Sequence, residues 1–157
     1  MRRPYIGVIG AGLCDAATAE LAVQVGREIA RRGGLLVCGG LGGVMAAAAR
    51  GAKEAGGQTI GILPGPSVEE ANPYIDFPIA TNMGQARNAV LIQTSHVLVA
   101  ISGGYGTLSE IAMALKIGKK VVAIQPRFEI QGVDVAPDPQ VAVEKAFSYL
   151  ETEFSRQ

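Results

Sequence analysis

Three glycine-rich segments hold many of the residues in this chain that could do chemistry: Gly10-Ala11-Gly12, Gly39-Gly40-Leu41-Gly42-Gly43 and Ser102-Gly103-Gly104-Tyr105-Gly106-Thr107. A glycine turn between a strand and a helix lets main-chain N–H groups approach an anion, and the helix N-terminus adds partial positive charge. Phosphate is the natural guest of such a turn. A single loop of this kind needs no ligand to explain it, because glycine also permits a tight turn. Three in one chain favour a ligand, and make Gly10, Gly12, Gly39, Gly40, Gly42 and Gly43 candidates to bind it, with Gly103, Gly104, Gly106 and Thr107 candidates to hold its phosphate. Arg87 and Asn88 open a further amphipathic segment and could clamp an anion or a ribose. Glu110 has two readings. With Thr107 it has the spacing of a capping box, in which both side chains satisfy N-terminal backbone donors, or it turns its carboxylate into a cleft toward a sugar.

The same segments exclude several chemistries. Gly10-Ala11-Gly12-Leu13-Cys14-Asp15 begins like a dinucleotide fingerprint, but Asp15 stands where the third glycine or alanine belongs and would repel pyrophosphate. The acidic ribose partner expected at the end of the second strand is replaced by Cys38-Gly39-Gly40. No glycine loop runs into Gly-Lys-Ser or Gly-Lys-Thr, which excludes a P-loop NTPase. Lys116, Lys119 and Lys120 lie in no recognisable pyridoxal-binding context. Cys14 and Cys38 have neither metal-ligand spacing nor a disulfide framework and read as reduced thiols. His96 reads as structural, and no metal site is expected.

The elements needed to position these loops follow from hydrophobic pattern. Strands are expected at Tyr5–Ile9, Leu35–Cys38, Thr59–Leu63, His96–Ile101 and Val121–Ile124, with a poor or edge strand at Ile75–Ile79. Helices are expected at Thr18–Arg32, Val44–Ala55, Met83–Thr94, Thr107–Ile117 and Gln140–Glu153, with loop over Gln125–Pro139. Strands alternating with helices predict an α/β fold, a Rossmann-like doubly wound parallel sheet with helices on both faces. The glycine loops then lie at strand ends, where open α/β sheets bind ligands.

The 157 residues suit one domain, and 48% hydrophobic residues with 18% charged give a packed globule. Fourteen basic residues balance fourteen acidic ones, so the footprint of nucleic-acid binding is missing. The first apolar run is short and half glycine, unlike a signal core, and no segment approaches the roughly 18 apolar residues of a membrane span. A cytoplasmic protein is expected. Ile111, Met113 and Leu115 read as exposed apolar residues on a helix, which predicts a homodimer or homotetramer that buries them.

Gly39-Gly40-Leu41-Gly42-Gly43-Val44-Met45 and Gly103-Gly104-Tyr105-Gly106-Thr107-Leu108-Ser109-Glu110 resemble the two signatures of the Lonely Guy-like (SLOG) superfamily, members of which older names call lysine decarboxylases. The resemblance runs over nearly the whole chain and adds Met45 and Tyr105 to the binding candidates. It includes enzymes that hydrolyse cytokinin nucleoside 5′-monophosphates to base and ribose 5-phosphate, which implies Glu110 and Arg87 as catalytic residues if this chain is a hydrolase. The enzymes' pattern has proline before the glycines and lysine after the arginine, where this chain has Ser102 and Asn88. Thr81-Asn82-Met83-Gly84-Gln85-Ala86-Arg87-Asn88 with the second signature looks more like the branch of molybdenum cofactor carrier proteins. That branch implies a binding or carrier protein for a phosphorylated pterin or nucleotide-like ligand, molybdenum cofactor or a nucleoside monophosphate, with no cofactor required for catalysis. A nucleotide sensor without catalysis is the third alternative.

Overall fold

The structure is a computed structural model that describes residues 2–156. Seven strands form one sheet: β1 (Tyr5–Gly10), β2 (Leu35–Cys38), β3 (Thr59–Leu63), β4 (Phe77–Ala80), β5 (Val97–Ile101), β6 (Lys120–Ile124) and β7 (Asp134–Ala136). Their spatial order is β4-β3-β2-β1-β5-β6-β7, and every neighbouring pair is parallel. The order reverses between β1 and β5, a topological switch point of the kind beside which open α/β sheets form a ligand crevice. The expected doubly wound sheet is therefore present.

The sheet's two faces are sorted by strand alternation. Val97, Val99 and Ile101 of β5 face one way, with Ile6 and Val8 of β1 and Leu36 and Cys38 of β2, into a core with α1 (Ala16–Arg31), α2 (Val44–Glu54) and α5 (Pro139–Phe154). Leu98 and Ala100 face the other way, with Ile9, Leu35 and Val37, toward α3 (Arg87–Thr94) and α4 (Tyr105–Lys116). The central strands are buried on both faces, which is why they read as continuous apolar runs. No helix among the described residues is long and apolar enough to cross a membrane.

Several local expectations are corrected. The stretch 125–139 contains β7, paired to β6 from Val122↔Asp134 to Ile124↔Ala136. The segment from Met83 begins as a 3-10 turn at Gly84–Ala86 before α3 starts at Arg87. Helix α4 starts two residues earlier than expected, at Tyr105, so Thr107 lies inside its first turn. Ile111, Met113 and Leu115 are not free for an interface: Ile111 is buried, and Met113 and Leu115 pack on the same core. The apolar pattern of α4 is spent on the sheet. His96 does hold structure, its Nδ1 accepting from the Tyr5 N–H at 2.8 Å.

Helices α1 and α2 cross at backbone contact through two glycines. A Cβ on Gly26 would overlap the Ala48 carbonyl, and one on Gly51 the Val23 carbonyl. This close crossing sets where α2 begins, and with it the glycine loop that precedes α2. Gly26→Ala and Gly51→Ala should each destabilise the fold by about 1–3 kcal/mol, read as a lowered denaturant midpoint, since neither backbone can retreat without repacking the core.

Candidate functional site

A cleft of about 260 Å³ opens at the switch point. Its apolar walls are Val8, Ile9, Leu41, Met45 and Leu91, and its remaining lining is Gly10, Gly12, Gly39, Arg87, Asn88 and Glu110. Of the residues singled out in the sequence, the structure thus brings seven into one cavity: Gly10, Gly12, Gly39, Met45, Arg87, Asn88 and Glu110. The other eight stand around it or behind it.

The first two loops are built against each other. Gly43 adopts φ +59°, and a Cβ there would overlap the Ala11 carbonyl. The Val44 N–H donates to that carbonyl at 3.0 Å. Gly40, at φ +78°, turns the chain over Leu63, while Gly42 lies close to the Gly12 carbonyl. Gly40, Gly42 and Gly43 therefore shape the loops without lining the cleft.

The third loop is different. Gly103, at φ +94°, lies on the buried Thr107 side chain. Gly104 is the N-cap of α4 and has no side-chain cap, and the first helical bond runs from the Leu108 N–H to the Gly104 carbonyl at 3.0 Å. The N–H groups of Tyr105, Gly106 and Thr107 therefore precede the helical ladder. A Cβ on Gly104 or Gly106 would meet nothing within 4 Å, so space stands open beside those donors. Helix α2 likewise starts at a glycine, Gly43, without a side-chain cap. Helices α1 and α5 cap themselves, Asp15 accepting from the Thr18 N–H and Asp138 from the Val141 N–H. Asp15, which disfavoured a dinucleotide fingerprint, is thus a helix cap.

Of the two readings of Glu110, the capping box with Thr107 does not form, because the helix has already begun at Tyr105. Glu110 instead lines the cleft together with Arg87. Burial pushes the Glu110 carboxyl up to about 7, against the opposing pull of the Arg87 guanidinium. Burial also lowers the Arg87 pKa, and Glu110 resists that shift. Arg87 Nη1 donates to the Gly39 and Ile62 carbonyls, both at 2.5 Å, so one guanidinium joins the ends of β2 and β3 to the first turn of α3. Cys38 beside it is fully buried, and burial raises its thiol to about 11, which keeps it protonated and unreactive.

Sequence reasoning did not find the apolar walls. Leu91 lies four residues after Arg87 on α3, so helical spacing from Arg87 points to it; Leu41 between glycines carried no such signal. Tyr105 is 81% exposed and its ring lies beside Phe128, a residue that no motif marked. Among the described residues, no group of three or more His, Cys, Asp and Glu side chains gathers as a metal site would require.

A parallel doubly wound sheet, glycine loops at its switch point and an Arg–Glu pair within the crevice define a Rossmann-like protein of the SLOG type. The chain belongs to the SLOG cluster4 family, whose model matches residues 3–150. It is similar to the molybdenum cofactor binding protein of Rippkaea orientalis, with a TM-score of 0.91 and 36% identity over 96% of this chain and 99% of that one. It is also similar to the molybdenum cofactor carrier protein of Chlamydomonas reinhardtii, with a TM-score of 0.89 and 40% identity over 96% and 99% of the two chains. A cytokinin riboside 5′-monophosphate phosphoribohydrolase of Mycobacterium tuberculosis is 35% identical over 128 residues, 75% of this chain and 68% of that protein.

Glu110 makes stability depend on pH in a fixed sense. Its carboxyl holds its proton up to about pH 7 when folded, against an ordinary value of 4.5. The folded state therefore binds more protons across that window, and stability falls as pH rises through it. Urea unfolding of the wild type should show this decline, on the order of 2 kcal/mol, and Glu110→Gln should remove most of it.

Proposed function

We propose that the protein binds a phosphorylated pterin or nucleotide-like small molecule in the switch-point cleft and carries it without converting it. The observation that supports this most is the open start of α4. Three ladder-free N–H groups stand beside unfilled space at Gly104 and Gly106, a few residues from the cleft-lining Glu110. A dianionic phosphate suits these donors and the helix dipole. The flat ring lies against Leu41 and Met45 beside the glycine loops, and Asn88 and Arg87 supply hydrogen bonds at its edge. The two cofactor-binding proteins, which share the fold along nearly their full length, support the pterin form of this ligand. The protein works in the cytoplasm, and its homodimer or homotetramer buries Phe77 and Ile79, exposed by 50% and 46% on the edge strand β4.

Ser102 favours carriage over hydrolysis. It sits at φ +48°, in the left-handed region that a proline ring cannot reach. The proline that the resemblance places here in the hydrolases could not adopt this backbone.

Glu110 supports a second reading, a nucleoside 5′-monophosphate phosphoribohydrolase. A carboxyl poised near 7 beside an arginine suits stabilisation of the oxocarbenium-like state in which the N-glycosidic bond breaks. In that reaction water adds to the ribose carbon as the base leaves with a proton, and the phosphate stays on the α4 donors.

One measurement separates these readings, and a second tests the phosphate site they share. Purified protein incubated with AMP or GMP should release no free base and should bind the molybdenum cofactor freed from a molybdoenzyme saturably; base release abolished by Glu110→Gln would establish the hydrolase instead. Gly104→Asp places a carboxylate where the phosphate is proposed and caps α4 with it. This variant should match or exceed the wild type in thermal stability, by a few tenths of a kcal/mol, yet bind GMP at least about tenfold more weakly. Unchanged GMP affinity in Gly104→Asp would remove the α4 terminus from the site.

A further inference from the structure

The first turn of α4 separates two hollows. Glu110 lines the switch-point cleft, whereas Gly104 and Thr107 line a small hollow shared with Phe128. Beyond Phe128 a groove of about 310 Å³ continues along Arg127, Ile130 and Val133. Its walls are fixed. The Ser102 N–H donates to the Ile124 carbonyl at 2.9 Å, which ties the loop after β5 to the end of β6. Ser102 and Gln125, the residues that follow these paired strand ends, both take left-handed backbone, at φ +48° and +49°. The two strands thus turn out of the sheet side by side and bring Tyr105 and Phe128 together. Their rings are tilted by 33° with centroids 5.6 Å apart, and Tyr105 is 81% exposed. An exposed aromatic shelf beside the uncapped N–H groups that open α4, with Arg127 also lining the groove, suits a planar ring joined to a phosphate.

We propose that the Tyr105–Phe128 shelf seats a second planar heteroaromatic ring, so that the preferred ligand carries one ring on each side of its phosphate group, as a dinucleotide does. This rests on the reading that places phosphate at the start of α4. It goes further by assigning the groove to a nucleotide extension and by making Tyr105 and Phe128 the residues that distinguish the extended ligand from a monophosphate.

The test is isothermal titration of the full chain with guanosine 5′-monophosphate and with diguanosine 5′,5′-pyrophosphate, which carry similar charge. The wild type should bind the dinucleotide about tenfold more tightly, as expected when one more base stacks on an aromatic side chain. Tyr105→Ala and Phe128→Ala should each bring the affinity ratio of the two ligands close to one, while Tyr105→Phe keeps it. Equal affinities in the wild type, or a preference that survives both alanine substitutions, would overturn the proposal while leaving the phosphate site intact. Binding of neither ligand would overturn both. Sedimentation of the same variants closes the remaining route: a dimer that Tyr105→Ala converts to monomer would assign the shelf to a second copy of this chain and overturn the proposal.

Discussion

Arg87 makes the contact on which the rest of the site depends. Its guanidinium spans the carbonyls that end β2 and β3, and it is held there by the first turn of α3. Those carbonyls lie where the parallel sheet runs out of ladder partners, so without a donor they would be partly buried acceptors left unpaired. The same cation pulls against the desolvation that raises the Glu110 pKa. The ends of two strands and the first turn of α3 are therefore joined by one side chain, with both bonds made by Nη1.

The three glycine loops divide their labour on this frame. The first two use glycine to come close to one another, as Gly43 does against Ala11. The third uses glycine to leave space, since Gly104 and Gly106 have open surroundings. Equal composition therefore hides opposite roles, and the difference lies in what a Cβ would meet.

That division also marks how far the chain could be read before folding. The central strands and their order of alternation with helices were legible because each is a short, doubly buried apolar run between glycine turns. β7 was not, because Asp134-Val135-Ala136 is only three residues long and its Val135 is exposed at the sheet edge. Arg87, Asn88, Gly10, Gly12, Gly39, Met45 and Glu110 were legible as cleft residues through their motifs. The hydrocarbon walls and Phe128 were not, since nothing local distinguishes a leucine facing a ligand from one facing the core. Glu110 shows the same limit. Its spacing from Thr107 fits a helix cap, but the helix starts at Tyr105, and that start is fixed by β5 and its loop rather than by the pair itself.

The contrast between self-capped and glycine-capped helices has a consequence for the empty protein. Helices α1 and α5 each turn an aspartate onto one of their first N–H groups, whereas α2 and α4 start on glycine, α2 with its Val44 N–H given to the Ala11 carbonyl and α4 with no side-chain cap. A start without a cap of its own is where an anion would add to stability. On the reading proposed above, sulfate, phosphate or metabolite anions that met the α4 donors would stabilise the folded state by mass action. The ordinary ionic composition of a cell would then compete with the proposed ligand, so that occupancy would be set by a ratio of concentrations as much as by affinity.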